Sequence, residues 1–324
     1  MDTLSLKHKL IKFQSIIALL VMCIALSFLT DRFLSADNAW NVMRQISVNM
    51  IISVGMTLVI LTGGIDLSVG SVLALSGAVT AFLLKTGGEF TDFNLYIGFT
   101  LLGALLGGTL VGTFLGWFNG LTITRFKVPP FVATLAMLTI ARGFTMLLTG
   151  GFPITGFSNE MAFIGTGWFI GIPMPVWISA IVVFTAVVLT NKTRLGRHIY
   201  AIGGNETAAE LSGLKIKKIK LIVYSIAGAL SAVGGIIVTS RLDSAQPNAG
   251  IGFELDSIAA VVIGGTSLSG GKGTIMGTVQ GALIIGILNN GLVLLNVSPF
   301  WQQVIKGLVI LLAVVVEKFN SKKE

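Results

Sequence analysis

Residues 15–29 read SIIALLVMCIALSFL, and unbroken apolar runs of this kind recur along the whole chain. A helix must present roughly 20 apolar residues to cross about 30 Å of hydrocarbon. Strands of a membrane barrel would instead show segments of about ten residues alternating apolar and polar. The runs therefore predict spanning helices. Their weight in the composition excludes a soluble globule: 53% of residues are apolar, 11% are charged and the mean hydropathy is +0.89. The expected fold class is all-α, a polytopic integral membrane protein.

Apolar windows place ten helices, at roughly 14–30, 45–62, 67–84, 95–121, 131–149, 172–190, 221–240, 255–267, 274–295 and 300–317. The eighth is short and glycine-rich. Ala25 and Ser27 resemble a leader cleavage site, but the run from Phe13 to Thr30 is long for a leader and nine more spans follow, so a retained first helix is expected. With the N-terminus inside, sixteen of the 22 Lys and Arg residues fall on one side, among them Lys7, Lys9, Lys12, Arg125, Lys192, Arg194, Lys215 to Lys220 and the C-terminal Lys322 and Lys323. Four fall on the other: Arg32, Arg44, Lys85 and Arg241. That asymmetry predicts both termini in the cytoplasm. No polar linker divides residues 1–324, so one membrane domain is expected. The net charge of +8 belongs to orientation and does not point to nucleic acid.

Several chemistries are excluded. Cys23 is the single cysteine and lies in the first apolar run, so no disulfide framework or thiol metal site is expected. His8 and His198 sit in basic polar segments. The stretch GGTSLSGGKGT suggests a phosphate loop, but Thr266 stands where the first glycine belongs and Gly273 where the magnesium-binding hydroxyl belongs. No HExxH, GxSxG or paired intramembrane carboxylate appears, and no metal site is predicted.

Within the spans, ionisable groups are few. Asp66 opens the third helix, as an N-cap or as a gate. Arg142 and Lys306 either snorkel outward, make polar contacts between helices or serve the pathway. Neutral groups are commoner: Asn49, Ser53, Thr57, Ser76, Asn119, Thr134, Gln280, Asn289 and Asn290. Amides and hydroxyls suit a hydroxyl-rich solute, and they also join helices. Gly108, Gly112, Gly116 and Gly120 form one stripe, and Gly273, Gly277 and Gly281 another, for packing within the subunit, for dimerisation or for moving helices. The segments Gly63–Gly70 and Gly264–Gly271 share the pattern GGxxLSxG, and both fall on the cytoplasmic side.

The longest polar stretch is 191–220, NKTRLGRHIYAIGGNETAAELSGLKIKKIK. Its basic flanks would hold it to an anionic lipid surface. Between Gly203–Gly204 and Gly213, Asn205 can cap a short helix, Glu206 sits in its first turn, and Ala208, Ala209 and Leu211 make a small apolar face. A partner's groove would accept such a face.

This loop, together with VGMTLVILTGGIDLSVGSVLALSGAV and RLDSAQPNAGIGFELDSIAAVVIGGTSLSGGKGTIMGT, resembles the permease subunits of bacterial ribose-type ABC importers, from about Ser15 to Glu317. The resemblance implies a homodimer in the inner membrane, two ATP-binding domains on the cytoplasmic side that carry the ATP and magnesium, a periplasmic sugar-binding protein, and no cofactor on this chain. It also implies that 203–213 is the coupling helix, although Thr207 stands where related loops carry Glu. The function implied is ATP-driven uptake of a monosaccharide, ribose first; another sugar or a furanose-like signalling molecule on the same scaffold and an ion-coupled carrier are the alternatives, and absence of a deep carboxylate weighs against the carrier.

Overall fold

A computed structural model describes residues 14–90 and 95–321. The leading Lys7, His8, Lys9 and Lys12 and the trailing Lys322 and Lys323, which carry part of the orientation argument, lie outside the described residues. Helices α1 Gln14–Leu29, α2 Ala36–Leu61, α3 Val69–Lys85, α4 Leu101–Arg125 and α5 Pro130–Thr149 come first. They are followed by α6 Asn159–Thr166, α7 Met174–Lys192, α8 Arg194–Gly204, α9 Glu206–Leu211 and α10 Ile216–Arg241, then by α11 Phe253–Ile263, α12 Ile275–Leu294 and α13 Pro299–Ser321. Three antiparallel ribbons break the all-helical pattern: β1 Gly88–Phe90 with β2 Leu95–Ile97, β3 Ile154–Thr155 with β6 Ser244–Ala245, and β4 Trp168–Phe169 with β5 Ile172–Pro173.

Among the described residues six helices are long and apolar enough to cross a membrane: α2, α4, α5, α7, α10 and α12. Shorter apolar helices occupy Ile17–Leu29, Val69–Lys85 and Pro299–Val315. The eighth expected span is α11, whose 11 residues rise only about 16 Å. Local chemistry sets the ends. Ser35 accepts the Asn38 amide and starts α2 nine residues before its apolar window, while the β1–β2 ribbon takes residues from the head of the fourth window. Lys217, Lys218 and Lys220 fall inside the first turns of α10 instead of in the loop before it.

Helix α2 is the axis of the bundle, buried continuously from Ile51 to Leu61, and it packs on α10, α12, α7 and α11. The first glycine stripe is spent within the subunit. A methyl on Gly112 would come within 2.6 Å of the Gly228 carbonyl oxygen, and one on Gly120 within 3.0 Å of the Leu221 Cα, so α4 lies directly on α10. In the second stripe, Gly277 and Gly281 press α12 onto the backbone of α11 at Gly264 and Ala260. Lipid offers no hydrophobic incentive for helices to associate, and this close backbone approach replaces it.

Candidate functional site

The polar segment 191–220 folds as two short helices that break at Asn205. Thr193 caps α8, and α8 buries Ile199 and Ile202 in the core. Asn205 then leaves helical geometry (φ −159°, ψ 102°), and its Oδ1 accepts the Ala208 amide at 2.9 Å to start α9. Glu206 accepts from the Lys220 ammonium at 2.7 Å, which ties α9 to the first turn of α10. Helix α9 ends in a left-handed glycine: Gly213 (φ 84°) bonds the Glu210 carbonyl and Leu214 the Ala209 carbonyl.

The expected apolar face is divided by this geometry. Ala209 points into the core, whereas Ala208 and Leu211 point outward, Leu211 at 85% exposure. The free surface is therefore Thr207, Ala208, Glu210 and Leu211. Gly204 and Gly213 have nothing within 4 Å of a hypothetical Cβ, but Gly203 does. A methyl there would overlap the Leu61 carbonyl oxygen and the Gly271 amide nitrogen.

Gly203 thus sits in a junction between the two GGxxLSxG loops. The Gly271 amide donates to the Leu61 carbonyl at 3.1 Å, and a Cβ on Gly270 would stand 2.9 Å from the Gly63 nitrogen and 3.1 Å from the Gly203 Cα. Tyr200 adds a bond from its hydroxyl to the Gly273 carbonyl at 2.8 Å, and burial pushes its phenol up. The two related sequences lie at one end of the bundle, in contact with each other and with the tail of α8.

Asp66 is not the helix cap; Ser68 occupies that position and makes no side-chain cap bond. The Asp66 carboxylate accepts the Ser68 amide at 2.9 Å and its hydroxyl at 2.6 Å, and Asn119 donates to the same hydroxyl at 2.9 Å. Thr134 reaches the Ile65 carbonyl at 3.3 Å. At 1% exposure, burial pushes the Asp66 carboxyl up, and the two bonds from Ser68 pull it back. Asp66 fastens the α2–α3 loop to α4.

The other polar candidates are dispersed along the bundle. The Thr57 and Thr278 hydroxyls bond at 2.7 Å, joining α2 to α12. Asn49 is buried with an unpaired Oδ1, and Gln280 is half-buried. Asn290 and Asn38 exchange amide bonds at 2.9 and 3.1 Å. Asn289 donates to Asp256 Oδ2 at 3.4 Å, the same oxygen that Lys306 holds at 3.0 Å. Lys306 therefore does not snorkel, and neither does Arg142, which donates to the Pro247 and Ala249 carbonyls at 2.6 and 2.8 Å. No group of three or more His, Cys, Asp or Glu that could hold a metal occurs among the described residues.

The permease family described as "Branched-chain amino acid transport system / permease component" matches residues 38–314. The chain belongs to that family. This permease is 50% identical to the ribose import permease protein of Haemophilus influenzae, a match covering 97% of this chain and 95% of that protein. The ribose import permease protein of Bacillus subtilis is 51% identical, over 96% and 94%. A D-allose transport system permease protein of Escherichia coli is 40% identical, over 94% and 90%. No solved structure matches the chain. It is a multi-pass membrane protein, and its resemblance to the ribose-type permeases holds over nearly its full length.

Sequence reasoning passed over Asp256, Glu254, Asn38 and Tyr200 in this permease. Asp256 is buried inside FELDSIAAVVI, where an apolar window average hides two carboxylates, Glu254 and Asp256. Asp256 is buried within the protein in the first turn of α11, where Lys306 pairs with it. Tyr200 lies on the inner side of α8, where an expected surface loop conceals a packed helix.

Proposed function

We propose that the chain is the membrane-spanning subunit of an ATP-driven ribose importer in a bacterial inner membrane. The half-identity with ribose import permeases over nearly the whole length carries this reading. In it, the chain forms a homodimer with ten membrane helices, α11 being the eighth, and both termini are cytoplasmic. Arg125, Lys192, Arg194, Lys217 and Lys218 end or begin helices at the end where Gly203 meets the two loops, and this supports placing that end inside. Residues 191–220 act as the coupling loop, with its basic flanks on anionic lipid.

Thr207, Ala208, Glu210 and Leu211 meet an ATP-binding subunit. Asn205, Glu206, Ala209 and Gly213 hold α9 in shape for that contact, and Gly203 and Gly204 join it to the bundle. ATP and magnesium belong to the partner, this chain carries no cofactor or catalytic residue, and a periplasmic binding protein delivers the sugar. Asn49, Thr57, Gln280, Asn289 and Asn290 stand along the route, with Asp66 at its inner end. The test is co-purification with an ATPase subunit whose hydrolysis rises when sugar-loaded binding protein is added. Ribose uptake into liposomes driven by an ion gradient alone, without any ATPase, would replace this reading with that of a secondary carrier.

A further inference from the structure

Helices α4 and α10 run antiparallel with their backbones close together along the glycine stripe, Gly120 on Leu221, Gly116 on Tyr224 and Gly112 on Gly228. Beside that seam the side chains leave an outward-facing groove of about 390 Å³. Thr113 and Trp117, one turn apart on α4, line one side of it. Phe114 stacks on Trp117 with 5.8 Å between ring centroids and extends that wall. On α10 the lining residues Lys218, Ile222 and Ile226 follow at four-residue spacing, and the small Ser225 and Ala229 leave the room between the helices.

Position along the bundle decides what fits. Lys218 lies in the first turn of α10 and Ala229 at its midpoint, a rise of about 16 Å, or half of the roughly 30 Å of bilayer hydrocarbon. The groove therefore crosses one leaflet and stops at the middle. A spanning helix of another protein would need a seam through both leaflets; a single hydrocarbon chain needs only one. Below Lys218 the surface is chemically apolar, because the Thr113 and Ser225 hydroxyls donate to their own helices, to the Thr109 and Leu221 carbonyls at 2.7 and 2.8 Å. A hydroxyl-rich solute has nothing to bond there. At its head the charge is positive. Lys217 and Lys218 are exposed, and the contact of Gly120 with Leu221 brings Arg125, exposed at the end of α4, to their level. The nearby carboxylate of Glu206 is taken by Lys220.

We propose that this groove seats one acyl chain of an anionic phospholipid, with the phosphate beside Lys218 and the chain reaching the bilayer midplane at Ala229. The leaflet is the cytoplasmic one in the orientation proposed above; the site itself does not depend on that orientation. Lysine lays its stem on apolar surface and keeps its charge among the headgroups. Near an anionic membrane surface one such charge raises affinity about fivefold. A lipid held there covers the α4–α10 seam at the end where α10 leaves the polar loop, and so steadies the helix that follows α9.

The experiment uses the full-length chain, purified in detergent, stripped of lipid and titrated with palmitoyl-oleoyl phosphatidylglycerol or phosphatidylcholine, with bound lipids counted by native mass spectrometry. Wild type takes its first phosphatidylglycerol at least about fivefold more tightly than its first phosphatidylcholine. Lys218→Gln cuts that ratio about fivefold and leaves the phosphatidylcholine affinity as it was. Ala229→Phe and Ser225→Leu, at half-buried positions, each fill the groove and weaken the first site for both lipids at least about tenfold. Equal binding of the two lipids by the wild type would overturn the proposal. Unchanged first-site binding in both filled variants would also overturn it, by putting the lipid elsewhere on the surface. Lipid carried by monomers and shed by dimers would assign the groove to a second copy of the chain instead.

Discussion

The carbonyl oxygen of Leu61, the last residue of α2, accepts the amide of Gly271 at 3.1 Å, while Gly203 lies so close to both that no Cβ fits. Three chain segments that are far apart in sequence thereby share one contact. A displacement of α8 is felt at the end of the central helix and at the loop between α11 and α12.

Gly203→Ala forces that contact apart, and overpacking of this kind costs about 1–3 kcal/mol. Thermal unfolding in detergent will show a lowered midpoint. Gly204→Ala, in open space, will leave it unchanged. Equal midpoints for the two variants would mean that the junction yields without resistance.

Leu211→Glu and Ala208→Glu change only exposed surface, so both will accumulate in the membrane at wild-type levels and lose co-purification with the ATPase subunit. Ala209→Glu places a charge in the core and will not accumulate. Membrane immunoblots against pull-down yields separate the two behaviours. Retained pull-down with both surface variants would remove α9 from the partner interface.

Burial raises the Asp66 carboxyl above its ordinary value of 3.8. A carboxyl raised in the folded state is protonated in both states at low pH and costs nothing there. The cost grows as pH climbs from that ordinary value through the folded one. Asp66→Asn keeps an acceptor for the two Ser68 donors and removes the titration. The variant will gain stability relative to wild type between pH 4 and pH 8, read by unfolding midpoints at both values. A constant difference between the two proteins across that range would show that the Ser68 bonds offset burial fully.

The amide exchange between Asn38 and Asn290 binds the first turn of α2 to the last turns of α12. A double-mutant cycle with leucine at each position will return a coupling of about 0.6 kcal/mol, the average for polar contacts inside membranes. A coupling of zero would show that each amide finds other partners when its mate is removed.

Spans are legible in the sequence because lipid requires long apolar runs, and nothing else requires them. The glycine stripe of α4 is legible as packing for the same reason, since only small residues let backbones meet. Helix ends are less so: the start of α2 depends on Ser35 capping polar residues that no apolar window includes. The division of Ala208 from Ala209 depends on the rotation of a six-residue helix about its axis, which the break at Asn205 sets. Asp256 escapes notice because its partner, Lys306, is 50 residues away and neutralises it only in three dimensions.

Helix α11 covers about half the thickness of a bilayer, and the chain continues from Gly264 to Gly273 as a folded loop. That loop satisfies itself partly: Gly265 bonds Val262, Thr266 bonds Val261 and Ser267 bonds Lys272. Helix α11 is too short to cross a bilayer by itself, and it packs on α2 and α12. During synthesis, then, this stretch has no stable residence in lipid until those helices are in place to receive it. It cannot be handed to the bilayer as an independent segment. Damage to the receiving surface will surface as failed biogenesis, with 253–273 held at the insertion machinery or left accessible to protease, before any defect in transport can be measured.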